Sequence, residues 1–234
     1  MLELMMDSNF WIAVLQIIAI DILLGGDNAI VIALACRQLP EEQRNKGIFW
    51  GVFGAIALRI VLIFFALQLL QLPYLKTIGA LLLLWIGIKL LIPEEDDKHN
   101  GIAESSHLLG AIKTIIIADA VMSLDNVIAV AGAAQGNIIL VSFGILVSVP
   151  IIVWGSKFVL MLMDRFSIVI TLGGALLGWI AGEMLFTDIA YASVTKNWIS
   201  SSRYLFAIAG ALLVVAIGTW ISKRKSLIVS DLSE

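Results

Sequence analysis

Seven apolar runs, 10–35, 48–71, 75–92, 111–134, 138–160, 167–186 and 204–222, take up most of this chain and constrain it more than any other feature. A helix needs about 20 apolar residues to cross a bilayer, where the backbone must satisfy its own hydrogen bonds. The run 75–92 is short, the first is long, and only loops join them. The residues are 60% hydrophobic and 14% charged, with a mean hydropathy of +1.01. Soluble domains sit near about 45–50% and 25%. These values exclude a soluble globular domain and a disordered chain. A net charge of −3 leaves no basic footprint for nucleic acid. The predicted class is all-α, a polytopic membrane protein with the lipid bilayer as its first partner.

Basic residues set the orientation of such a chain. With the N-terminus outside, Arg37, Arg44, Lys46, Lys89, Lys98, Lys113, Lys157, Arg165, Lys223, Arg224 and Lys225 fall on the inner side. Only Lys76, Lys196 and Arg203 fall on the outer side, and Arg59 is intramembrane. This bias predicts seven spans, the N-terminus outside and the C-terminus cytoplasmic. Trp50, Trp154, Trp198 and Trp220 are expected to anchor in the interfaces.

Two stretches repeat. Residues 21–28, Asp-Ile-Leu-Leu-Gly-Gly-Asp-Asn, match residues 119–126, Asp-Ala-Val-Met-Ser-Leu-Asp-Asn. The match continues at Ile30/Ile128, Ala33/Ala131 and Ala35/Ala133. Two spans later Gly79, Leu82, Leu83, Trp85 and Ile86 align with Gly173, Leu176, Leu177, Trp179 and Ile180. Spans 1–3 thus recur as spans 4–6, with one helix extra. Three is odd, so the second copy enters the membrane in the opposite sense. The expected layout is two inverted three-helix repeats plus one helix, an arrangement of secondary transporters. It divides the chain into a first repeat (1–92), a cytoplasmic acidic loop (93–110), a second repeat (111–186), and an extra helix with a cytoplasmic tail (187–234).

Asp21, Asp27, Asp119 and Asp125 all lie inside the apolar runs. One Asp at a helix centre costs about 2.5–3.5 kcal/mol on the insertion scale, and four would cost on the order of 10–14 kcal/mol. A compensating cation or proton is the natural explanation. Arg59 could neutralise one acid, which leaves three with no fixed positive charge. Asp21 and Asn28, seven apart, share a helix face, while Asp27 lies about 120° off it. Gly25-Gly26 is an expected kink or unwinding point that could turn Asp27 inward and free backbone carbonyls, as in discontinuous transporter helices. The second copy has Ser123-Leu124 there, and Ser123 adds a hydroxyl. Antiparallel crossing of spans 1 and 4 would set Asp21 against Asp125 and Asp27 against Asp119, on levels about 9 Å apart. This allows two half-sites, one metal site plus a proton-carrying pair, or a single merged site.

Carboxylates, the carboxamides of Asn28 and Asn126 and backbone carbonyls form an all-oxygen set that suits Mg²⁺, Ca²⁺ or Mn²⁺. Zinc and copper call for His or Cys. The single cysteine, Cys36, makes no intramolecular disulfide, and the two histidines, His99 and His107, share a polar loop expected to be solvated. Met122 could add a thioether, which would favour manganese over the harder ions. Lys89 and Glu183, beside the two Trp-Ile pairs, are expected at the interfaces. The candidate ligands are therefore Asp21, Asp27, Asn28, Asp119, Asp125 and Asn126, with Ser123, Met122 and Gly25 in addition.

The strings Asp-Ile-Leu-Leu-Gly-Gly-Asp-Asn-Ala-Ile-Val-Ile and Asp-Ala-Val-Met-Ser-Leu-Asp-Asn-Val-Ile-Ala-Val resemble the signatures of the TerC integral membrane family, in its YjbE-like branch. The likeness covers nearly the whole chain, including the Arg37-to-Lys46 loop and the Gly-Ala-Ile-Ala-Leu-Arg segment ending at Arg59. The family is similar to manganese exporters of bacterial cytoplasmic membranes and to a wider group that includes LysE-type amino-acid exporters. The resemblance implies that the paired Asp-Asn motifs bind the cation, that Mn²⁺ is the substrate ion and that it leaves the cell. The residues themselves imply only a divalent cation and a transporter, with proton coupling open to it.

Other readings meet the same residues. An exporter of another cation or a cationic amino acid would also suit an acidic core. A metal-delivery subunit working with the secretion machinery would keep the site and need a partner. Gly25-Gly26-Asp27 superficially resembles an intramembrane aspartyl protease motif, but that chemistry needs two Asp sharing a proton, not a duplicated motif with two Asn, so no enzyme is expected. A homo-oligomer is compatible with the sequence.

Overall fold

The computed structural model describes the backbone of residues 8–69, 71–92, 101–133, 138–195 and 201–231; side chains are not described for 8–10, 12–14, 17, 20–25, 66–67, 101–106, 125–133, 138–143 and 226–231. Among the described residues the chain is nearly all helix: α1 (Ser8–Arg37), α2 (Glu41–Leu69), α3 (Leu75–Leu91), α4 (Gly101–Ala133), α5 (Ile138–Arg165), α6 (Ser167–Phe186) and α7 (Ser202–Asp231), with a short 3₁₀ turn (Ile189–Tyr191) and a single helical turn (Ala192–Thr195) before α7. Five described segments are long and apolar enough to cross a membrane: Glu41–Phe65, His107–Leu124, Gly144–Arg165, Ser167–Phe186 and Ser202–Lys225. Large apolar side chains cover the outside, with Trp154 71% and Phe64 64% exposed. Such a surface would aggregate in water and suits lipid. The protein is a multi-pass integral membrane protein.

Several helices outrun their apolar stretches, α7 to Asp231 and α5 to Arg165 among them. Helix α2 starts at Glu41, where Glu41 and Glu42 in its first turn complement the positive end of the helix dipole. Helix α4 reaches back to Gly101, through residues expected in the acidic loop; residues 93–100 of that loop lie outside the described residues. Helix α5 passes through Pro150 without interruption, as membrane helices tolerate. One expectation fails: the Gly25-Gly26 pair does not unwind α1, which is continuous from Ser8 to Arg37.

The helices pair across the chain. Helix α1 packs chiefly on α5, α2 on α4, and α3 on α6, and α1 also meets α4. Small residues admit these crossings. A β-carbon at Gly51 of α2 would strike Ile115 of α4, one at Gly79 of α3 would strike Val121 of α4, and one at Gly173 of α6 would strike Ile30 and Leu34 of α1. The closest approach is between α6 and α7. There Gly178 and Gly182, four apart, let the backbone lie against Gly210 and Phe206, and an added β-carbon would land on the carbonyl oxygens of those residues. The buried core runs through Leu34, Ile48, Leu83, Ile86, Ile115, Ile145 and Leu177.

Polar contacts sort the connections into two ends. At one end Gln38 Nε2 donates to the Ile92 carbonyl at 2.8 Å, and Arg44 Nη1 reaches Asp164 Oδ2 at 2.7 Å. At the other end Asp188, only 1% exposed, ties the α6–α7 connection to the α2–α3 turn. Its carboxylate accepts from the backbone of Tyr74 (3.1 Å), Thr77 (2.8 Å) and Ala190 (2.8 Å) and from the Thr77 hydroxyl (2.8 Å). Tyr74 sits in the left-handed region at φ 65, which costs a non-glycine residue about 1–2 kcal/mol, and its donated hydrogen bond helps hold it there. Burial alone would raise the Asp188 pKa, but these four hydrogen bonds outweigh it and hold the carboxyl below its ordinary 3.8.

Asp188→Ala leaves those donors buried without an acceptor and should cost about 1–3 kcal/mol, read as a lower melting temperature in detergent. Because the folded pKa is depressed, the stability Asp188 contributes is complete above its unfolded pKa of about 4 and is lost as pH falls through the folded value. The gap between wild type and Asp188→Asn should therefore close under acid. Gly182→Val should force α7 off α6 and cost about 1–3 kcal/mol as overpacking, whereas Gly110→Ala, with open space around it, should not; thermal unfolding of the two variants separates them.

Candidate cation site

The α2–α4 and α1–α5 pairings bring one polar cluster into the apolar core. On α4, Asp119 and Ser123 stand one turn apart on the same face, 6% and 0% exposed. Opposite them on α2 is Arg59, 4% exposed. Its Nη2 donates to Asp119 Oδ1 at 2.5 Å and its Nε to Ser123 Oγ at 3.0 Å; Ser123 Oγ in turn donates to Asp119 Oδ2 at 3.2 Å. The three side chains close a ring. A buried carboxylate is tolerable only with this kind of pairing, so Arg59 is the cation that neutralises Asp119.

Asn28 completes the cluster from α1. It is 3% exposed, and neither its amide nitrogen nor its amide oxygen has a hydrogen-bond partner among the described residues. Buried amides almost always find partners. Asn28 lines a small cavity with Ile32, Val52, Ala55, Ile56, Arg59, Asp119 and Ile152. The cavity volume is about 10 Å³, on the order of one water molecule. Asp27, one residue earlier on the unbroken α1, is half-buried and does not line this cavity. The structure thus brings Asn28, not Asp27, together with Asp119.

The side chains of Asp21, Gly25, Asp125 and Asn126, and with them the expected Asp21–Asp125 pairing, lie outside the described residues. Met122 is 6% exposed and packs in the hydrophobic core. Among the described residues no three of His, Cys, Asp and Glu converge as a ready-made metal cage. At the bundle ends, Glu183 accepts from Arg203 at 3.0 Å, and Lys89 lies 5.6 Å from the Trp85 ring centroid. His107 lines a larger cavity of about 140 Å³ with Gln38 and Lys89; His99 and Trp198 are outside the described residues. Sequence reasoning missed Asp188, whose only signal was an Asp directly after an apolar run. It named Arg59 without identifying which acid it holds.

The sequence model of the integral membrane protein TerC family matches residues 6–226. The chain belongs to the TerC family. Its relatives include the uncharacterized membrane protein YjbE of Bacillus subtilis (strain 168), 47% identical over 183 residues that cover 78% of this chain and 83% of the relative. The uncharacterized membrane protein YceF of the same organism is 26% identical, covering 96% and 88%. The UPF0053 inner membrane protein YgdQ of Escherichia coli (strain K12) is 25% identical, covering 64% and 70%. No solved structure matches the chain.

For this TerC-family chain the ring predicts a specific pattern of stability. Asp119→Leu takes the Asp119 carboxylate from a buried guanidinium and should cost about 3–5 kcal/mol, whereas Arg59→Met combined with Asp119→Leu should recover most of that loss. Thermal unfolding of the single and double variants in one detergent makes the comparison.

Proposed function

We propose that this protein is a divalent metal-ion transporter of the bacterial cytoplasmic membrane that exports Mn²⁺ through an intramembrane Asp/Asn site by alternating access. The observation that carries the reading is Asn28: a buried amide without a partner among the described residues, facing a cavity that also holds Asp119 and Arg59. An unpartnered amide in an apolar core is costly unless it has a ligand for part of the cycle. A carboxylate and an amide oxygen are donors for a hard or borderline dication. The cavity volume of about 10 Å³ favours a bare ion over a cationic amino acid.

The helix pairing supports two inverted repeats. Exchanging α1, α2 and α3 with α4, α5 and α6 turns the α1–α5 pair into the α4–α2 pair and leaves α3–α6 and α1–α4 unchanged. Asn28 and Asp119 then come from the equivalent helices of the two halves, where transporter sites form. The grouping of Arg44 with Asp164 and of Tyr74 with Asp188 agrees with alternating crossings, with the Arg44 end cytoplasmic by its basic residues. Manganese and outward movement follow from the likeness of the motifs to those of manganese exporters. A proton is a suitable counter-ion for the acids that the metal leaves.

Asp27→Ala, Asn28→Leu and Asp119→Asn should each abolish manganese tolerance in a bacterium lacking its own exporters and reduce Mn²⁺ flux at least about tenfold in proteoliposomes containing this protein alone. Wild-type flux in the same vesicles excludes an obligatory partner. Full tolerance in all three variants, at normal membrane levels, overturns the reading.

A further inference from the structure

We propose that Arg59 is a tethered counter-cation, holding Asp119 while no metal is bound and releasing it to the incoming dication. The inference rests on the transport reading and deepens it by naming what occupies the acid when the substrate does not.

Both Asp119 oxygens are engaged, Oδ1 by the guanidinium and Oδ2 by Ser123. A dication arriving at this carboxylate meets a fixed positive charge already bound to it. The two compete, because one carboxylate cannot neutralise three positive charges in an apolar surrounding. Asn28 stands apart from that contest. Its amide shares the cavity with Arg59 and Asp119 but is bonded to neither, and its oxygen is the donor that the guanidinium leaves unused. On its own helix Arg59 is joined at the cavity wall by Val52, Ala55 and Ile56, and releasing Asp119 requires its long side chain to move along α2.

The arrangement is one-sided. Helix α5 packs on α1 as α2 packs on α4, yet opposite Ala29 it presents Gly155. Ser156 there is turned back on its own helix, to the Ile152 carbonyl at 2.7 Å, and Lys157 is exposed. Among the described residues, only one half of the bundle supplies a buried cation. An ion-free carrier can then change face without a bare carboxylate at Asp119, which the insertion cost of an unpaired acid would otherwise oppose.

The test is equilibrium Mn²⁺ binding to the purified full-length protein in lipid nanodiscs, with flux measured in proteoliposomes. Arg59→Gln keeps a hydrogen-bonding side chain and removes the competing charge. It should bind Mn²⁺ at least about fivefold more tightly than wild type, within the usual range of coupling between sites, gain more thermal stability from Mn²⁺, and transport more slowly. Arg59→Lys should return the Kd to near wild type, and millimolar guanidinium should weaken binding to Arg59→Gln while leaving wild type unchanged. A merely structural Arg59 predicts weaker or unaltered binding in Arg59→Gln, and that result overturns the proposal. If Arg59→Gln folds only with Mn²⁺ present, the proposal is supported; if it fails to fold even then, it is overturned. Wild type without saturable Mn²⁺ binding sinks the transport reading and this inference together, whereas wild type that binds, with Arg59→Gln no tighter, sinks the inference alone.

Discussion

A carboxylate placed in hydrocarbon must find a positive charge, and the fold is arranged around that requirement at Asp119. Arg59 can reach it only if α2 lies against α4, and Gly51 and Gly54 along α2 permit that approach, a β-carbon at either striking Ile115 or Ile116 of α4. Ser123, one turn from Asp119, closes the ring. The sequence of α2 thus serves two ends: its glycines bring the helices together, and its arginine makes the meeting tolerable. Asn28 enters the same cavity because α1 also meets α4.

Much of the fold was legible from hydropathy. Among the described residues each apolar run coincides with one helix over most of its length, and helix ends depart from the runs where charge rather than hydropathy decides, as at Glu41 and Glu42. The glycine pair of α1 misled. Glycine lowers the cost of breaking a helix but supplies no reason to break it, and residues 25 and 26 remain helical. Which helices touch was not legible from composition. It emerges from side-chain volumes at Gly79, Gly173, Gly178 and Gly182, whose significance appears only once a partner is opposite.

The site was legible as chemistry and not as geometry. Charged residues inside apolar runs identify themselves by their cost, so Asp119 and Arg59 both stood out. Helical spacing placed Asn28 on one face and Asp27 on another, and in the unbroken α1 the asparagine is the more buried of the two. That Asn28, Arg59 and Asp119 meet depends on three helices crossing at one depth, which no local pattern encodes. Asp188 was invisible for a different reason: three of its four hydrogen bonds come from backbone amides, and backbone donors leave no mark in a sequence.

Helix α7 rests on α3 and α6, the helices that also pair with each other. These three make one flank, while α1, α2, α4 and α5 make a charged quartet joined to it through slighter packing. The molecule therefore has a seam. A relative motion of the two parts, which the proposed ion transport requires, would meet least resistance there, with the flank as a post and the quartet as an arm.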